Sequence, residues 1–154
     1  MLFRSIVAET IAGRDDWDAL VIAIGTNSFG GVDGATRQKE TAAQYGDKYR
    51  AFLDIIRARW PVKPIVAMTP ILARAEIIGG RNPNGEVPQD YRNAIERVVR
   101  ERQSRDANIT LVDGLKLVNS QLDMLVTDLV HPNDIGMRNL AEGAAAALRP
   151  MLRR

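Results

Sequence analysis

The sequence predicts an α/β fold of three layers, with helices on both faces of a parallel sheet. Three observations carry this. Three continuous apolar runs, 19–24, 64–68 and 109–112, are bounded by turn residues and too short for buried helices. Between them lie stretches whose apolar residues recur at helical spacing. Strand and helix alternate three times, the pattern of a parallel sheet with right-handed crossovers. Because the strand runs are continuous rather than alternating, they read as buried on both faces. The 154 residues read as one domain covering 1–154, long enough to bury a real core.

Each element follows from local signals. Residues 2 to about 12 form a helix, with Phe3, Ile6, Val7, Thr10 and Ile11 at helical spacing and Gly13 as its stop. Asp15, Asp16 and Asp18 make a polar turn around Trp17. The first strand, Ala19 to Ile24, runs into Gly25-Thr26-Asn27-Ser28 and a loop with Gly30, Gly31 and Gly34. A helix from about 37 to 59 carries a stripe of Tyr45, Tyr49, Phe52, Leu53 and Ile56 and ends at Trp60-Pro61. Gly46 weakens it slightly. The second strand, Pro64 to Met68, stops at Thr69-Pro70 and leads into an excursion through Gly79–Gly85 that reads equally as a pocket wall or a plain surface loop. Pro88 opens the next helix, with Tyr91, Ile95, Val98 and Val99 inward and Arg102 snorkelling at the edge. Ile109–Val112 is the third strand, ended by Asp113-Gly114, and an irregular apolar segment follows. The last helix starts near Asp134, repeats Met137, Leu140, Ala141, Ala144, Ala145 and Leu148 at helical spacing, and closes at Arg149-Pro150.

Composition removes several function classes. The net charge is only +2 and no basic run is interleaved with aromatics, so no nucleic-acid partner is expected. With no cysteine and one histidine, thiolate and multi-histidine metal sites are excluded, and no cofactor or metal is expected. No run approaches the roughly 20 apolar residues of a membrane span. The N-terminus, broken by Arg4 and Glu9, does not read as a signal peptide. The default compartment is the cytoplasm, with export expected if a segment before Met1 carries a signal.

Chemistry concentrates in Asp128-Leu129-Val130-His131-Pro132. It holds the only histidine of the chain, three positions after a carboxylate, on a loop that Pro132 constrains and that Asn133 or Asp134 converts into a helix entrance. A carboxylate accepting the Nδ1 proton fixes the imidazole tautomer and stabilises the imidazolium, which is half of a nucleophilic triad. Asn27 stands at the carboxyl end of the first strand, where ligands bind in open α/β sheets. A turn-forming asparagine is the bland alternative.

Two separated motifs share a resemblance. Gly25-Thr26-Asn27-Ser28 resembles the third signature block of the SGNH, or GDSL, hydrolase superfamily, and Asp128-x-x-His131-Pro132 resembles its fifth, in the same order. Val112-Asp113-Gly114-Leu115 and the phrase from Thr127 to Met137 look like esterase-type members. The resemblance implies acyl transfer from a carboxylic ester through a Ser-His-Asp mechanism. His131 would be the general base, Asp128 its orienting carboxylate and Asn27 an oxyanion-hole donor, a contact worth about 3 kcal/mol of barrier. The family's first block, Gly-Asp-Ser, which holds the nucleophile, has no counterpart in this sequence, nor does the second. The chain therefore looks like the C-terminal two thirds of such a domain, with its nucleophile on a preceding segment or another chain. Among the internal serines, Ser5 and Ser104 fall on helices away from the carboxyl strand ends and Ser120 sits in a loop whose place the sequence leaves open; Ser28 lies at the right end of the sheet, but its place beside the oxyanion donor is wrong for attack on the same carbonyl.

Three functions are carried forward. The first is an esterase or deacylase acting on a small-molecule ester, weak or inactive as this chain alone. The second is an inactive SGNH-like binding or assembly module. The third is a flavodoxin-like nucleotide binder, for which no phosphate-binding glycine loop is present. In the family order the nucleophile strand lies beside Leu20–Ile24. That strand is therefore expected at an open sheet edge, covered in a homodimer or by a complementing chain.

Overall fold

The computed structural model of the chain describes residues 2–30, 40–119 and 122–153, with the side chains of 6–30, 40–119 and 123–153. The expectations placed on Phe3, on residues 31–39 and on Ser120 lie outside these. The element order is α1 (Leu2–Ala12), β1 (Leu20–Ala23), α2 (Thr26–Phe29), α3 (Ala42–Arg59), β2 (Ile65–Met68), α4 (Arg74–Ile77), α5 (Pro88–Gln103), β3 (Ile109–Val112) and α6 (Asp134–Leu152), with 3-10 turns at Gly114–Lys116 and Leu122–Met124. The described sheet is parallel, in the order β1-β2-β3.

Register divides the sheet into two faces. Leu20, Ile22, Ile65, Ala67, Ile109 and Leu111 join one apolar cluster with α1, α3 and α5. Its stripe on α3 is the one expected: Tyr45, Tyr49, Leu53 and Ile56 are all fully buried. Gly46, which costs helix propensity, lies where a Cβ would stand 3.4 Å from that of Ala94, so the missing side chain lets α3 and α5 approach. α3 begins at Ala42, later than expected, because Thr41 and Gln44 form a capping box. On α1 the inward residues include Ala8 and Ile11, whereas Ile6 is 51% exposed.

The opposite face is thinner. α6 packs on β2 and β3 and covers Val66 and Met68, both essentially buried. A small cluster of Leu72, Val118 and Leu125 fills the space beside it. β1 is left uncovered here: Val21 is 42% exposed and Ala23 is exposed as well. The expectation that this strand is buried on both faces is thus corrected, and only Ile22 is buried. The cause is position: among the described residues β1 pairs with β2 alone, and α6 packs chiefly on β2 and β3.

Two further expectations are corrected. α6 does not close at Arg149-Pro150 but continues to Leu152. Pro150 removes one backbone donor, yet the final turn is held by burial of Met151, whose Sδ accepts from Thr110 Oγ1 at 3.5 Å. The apolar repeat of α6 is only partly covered: Leu140, Ala144, Ala145 and Leu148 are half-buried. Met137 and Ala141 are exposed, and the helix approaches its neighbours through Gly136, where a Cβ would meet Met124 O at 2.4 Å, and Gly143, where it would meet Leu117 at 2.6 Å. Arg102 does not snorkel to solvent; it is 8% exposed and ion-paired with Asp54.

The amino end of the sheet is closed by polar and aromatic groups. Lys63 Nζ sits 4.3 Å and 3.9 Å from the ring centres of Trp17 and Trp60, and Trp60 Nε1 donates to Ala12 O. Arg57 pairs with Asp106 and donates to the carbonyls of Trp60, Lys63 and Asn108. Among the described residues no helix is long and apolar enough to cross a membrane.

Candidate active site

Among the described residues the carboxyl end of the sheet carries a cleft, and the backbone there is shaped to present two side chains. After β1 the chain turns at Gly25, whose φ of 140° is closed to most L-residues. A Cβ on Gly25 would also lie 2.7 Å from Pro70 Cγ and 3.0 Å from Tyr45 Oη. This turn starts α2 and sets Asn27 at the surface, exposed. Among the described residues no hydrogen bond engages the Asn27 amide.

The second side chain comes from the loop before α6. Asp128 Oδ1 accepts from the backbone N–H groups of Val130 (2.8 Å) and His131 (3.0 Å), and Oδ2 lies 2.6 Å from His131 Nδ1. The turn forces Leu129 to a φ of 58°, a left-handed conformation that costs about 1 kcal/mol or more. It is pinned from outside: Val126 N donates to His131 O, Asn133 N donates to Met124 O, and Asn133 Oδ1 caps α6 by accepting from Ile135 and Gly136. The pair is solvent-facing, with side-chain exposures of 74% for His131 and 46% for Asp128. The hydrogen bond from His131, with those from the two backbone N–H groups, holds the Asp128 carboxyl at about 2. Asp128 therefore stays ionised and accepts Nδ1–H, which leaves Nε2 as the basic nitrogen of the neutral ring.

Asn27 and His131 line one cleft of about 230 Å³, together with Thr69, Pro70, Ile71 and Pro132. Its floor is fixed by Arg92, a residue the sequence reading passed over. Arg92 is 2% exposed, donates to Pro70 O (2.6 Å) and Ile71 O (2.7 Å), and pairs with Glu76 through both Nη atoms. Its signal was an arginine inside the inward stripe of α5, where a charge demands partners. Asn82, also missed, looked like part of an Asn-Pro-Asn-Gly turn but is 5% exposed and fully bonded. Of the excursion after β2, Ile71 lines the cleft, while the Gly79–Gly85 stretch folds against α2 through Asn82.

Ser28 does not line the cleft that holds His131. It is buried in α2 and lines a different cavity, an apolar groove of about 610 Å³ along β1 that also involves Val7, Ile11 and Phe52. The two cavities meet at Ala23, Ile24, Thr26 and Asn27, which line both. Ser104 caps the end of α5, far along the chain from either motif, and bonds Glu101 O. Among the described residues no group of three or more His, Asp or Glu side chains is arranged to hold a metal ion.

The family model described as the GDSL-like lipase/acylhydrolase family matches residues 4–138. The chain belongs to this family. Solved structures share the family's fold. A salicylyl-acyltransferase, SsfX3, from a tetracycline biosynthetic pathway aligns with a TM-score of 0.74 at 21% identity, over 95% of this chain and 41% of its own. A peptidoglycan O-acetylesterase aligns at 0.69 and 18%, over 95% and 41%. A carbohydrate esterase of family 3 from Talaromyces cellulolyticus aligns at 0.68 and 19%, over 95% and 68%. The chain thus spans about two fifths of the first two of these relatives. No curated protein matches the sequence significantly.

Proposed function

We propose that this chain supplies the base, its orienting carboxylate and one oxyanion donor of a serine-type hydrolase of small carboxylic esters. The observation that carries the reading is the 2.6 Å contact of His131 Nδ1 with Asp128 Oδ2 on a cleft that Asn27 also lines. In this reading a serine hydroxyl attacks the ester carbonyl and its proton passes to His131 Nε2. Asp128 stabilises the imidazolium, and Asn27 Nδ2–H donates to the oxyanion. The alcohol leaves with the proton from His131, and water, deprotonated by the same nitrogen, releases the acid. A cleft of this size is below the usual range for drug-sized ligands and suits a small acyl or alcohol group.

The nucleophile, in this proposal, arrives on a polypeptide strand laid along the open edge of β1. The groove there is apolar, runs beside a strand that among the described residues pairs with β2 alone, and opens into the cleft at Ala23–Asn27. An extended segment in it ends beside Asn27. The partner is a complementing strand that carries the serine; a second copy of the chain would cover the edge without supplying a nucleophile.

Hydrolysis of p-nitrophenyl acetate by the purified chain tests this. Turnover is expected to be weak or absent. Robust turnover abolished by Ser28→Ala would overturn the reading and make Ser28 the nucleophile. Turnover lost with His131→Ala but not with Ser28→Ala would point to a water activated directly by the Asp128–His131 pair.

A further inference from the structure

We propose that Tyr45 and Asn82 are positioning residues that hold the Asn27 amide in place from opposite ends of α2, an inference that rests on Asn27 being the oxyanion donor. α2 is a single turn, Thr26–Phe29, and one turn does not hold itself in water. It lies between two glycines at positive φ, Gly25 at 140° and Gly30 at 79°, so neither end is stiffened by its own backbone. Two buried side chains from other elements do that work. Tyr45 of α3, fully buried, donates from Oη to Ile24 O at 2.9 Å, just before the turn. Asn82 donates from Nδ2 to Phe29 O at 3.2 Å, at its end. The Phe29 ring is held besides by an edge contact with Tyr91, 5.7 Å between centroids at 88°.

Asn82 is built to be rigid. Its second Nδ2 hydrogen goes to Tyr91 Oη (3.1 Å), and its Oδ1 accepts from the N–H groups of Asn84 and Glu86, both at 3.0 Å. All four bonding positions of the amide are used. The network continues through Glu86, whose Oε2 accepts from Tyr91 Oη and whose Oε1 accepts from Ala42 N at the start of α3. The two Oδ1 bonds suffice to shape the 82–86 turn. The donation to Phe29 O is the extra contact, and it reaches only the segment that carries Asn27.

Asn82→Asp retains the acceptor of the 82–86 turn and removes the Nδ2 donors to both Phe29 O and Tyr91 Oη, so its melting curve is read beside the spectrum. Tyr45→Phe removes one hydroxyl and keeps the ring, so it reports even where the first variant folds poorly. The readout is the ¹H–¹⁵N spectrum of the full chain, titrated with acetate as the acyl product. Both variants are expected to move or broaden the Asn27 side-chain amide signals and to weaken acetate binding there about tenfold, with the Asp128–His131 signals unchanged. A lowered Tm with unaltered Asn27 signals and acetate affinity in both variants would overturn the proposal and leave Asn82 a loop anchor. Wild-type Asn27 signals that ignore acetate would instead overturn the oxyanion reading itself, and this inference with it.

Discussion

Val21 and Val66 are neighbours in register on the same face of the sheet, yet Val21 is 42% exposed and Val66 is fully buried. The strands around them are almost interchangeable, Leu-Val-Ile-Ala in β1 and Ile-Val-Ala-Met in β2. Among the described residues β2 has a strand on each side and α6 above it, whereas β1 has one strand and no comparable cover. The comparison teaches that an apolar strand states its capacity for burial, whereas its neighbours decide whether that capacity is used.

The largest expected effect is the asymmetry itself. Val66→Asp places an unpaired carboxylate in a closed core and should cost more than about 4 kcal/mol, enough to prevent folding. Val21→Asp should change stability by no more than about 0.5 kcal/mol. Urea unfolding followed by circular dichroism checks both, and similar losses would show that β1 is as enclosed as β2.

Next comes the point where the exposed strand meets tight packing. Gly25→Ala should cost about 1–3 kcal/mol, since it adds a contact with Pro70 to a strained φ. Gly85→Ala, at a φ of 78° with open space around it, should cost only about 1 kcal/mol. Equal losses in thermal melts would remove the close approach of Pro70 from the account.

Association tests what covers β1. If a second copy uses the open edge, light scattering should give a dimer mass that Val21→Lys halves without altering the circular dichroism spectrum. An unchanged mass leaves a strand of different origin as the partner.

The smallest effect is on the exposed loop. The Asp128 carboxyl should titrate near 2 by ¹³C NMR and return toward its ordinary value of 3.8 in His131→Ala. Since its pKa is depressed in the folded state, its stabilising contribution is present above about pH 4 and lost as pH falls toward 2. Solvent keeps that contribution small. A midpoint near 3.8 in the wild type would mean that the pair is open in solution.

By itself the sequence determined the three strands, because each is a short apolar run closed by turn residues. It determined the helix stripe of Tyr45 to Ile56, because helical periodicity is a local property. The Asp128–His131 contact was also legible, since three residues and a proline fix its geometry within one turn. Tertiary structure alone decided the rest. It exposed Val21 and buried Val66, because cover comes from α6, far along the chain. It carried α6 past Pro150, because burial of Met151 outweighs one missing backbone donor. It gave Arg92 and Asn82 their tasks, because a buried polar group takes its meaning from the carbonyls that the fold brings to it. And it set Asn27 and His131, over a hundred residues apart in the chain, on one cleft at the carboxyl end of the sheet.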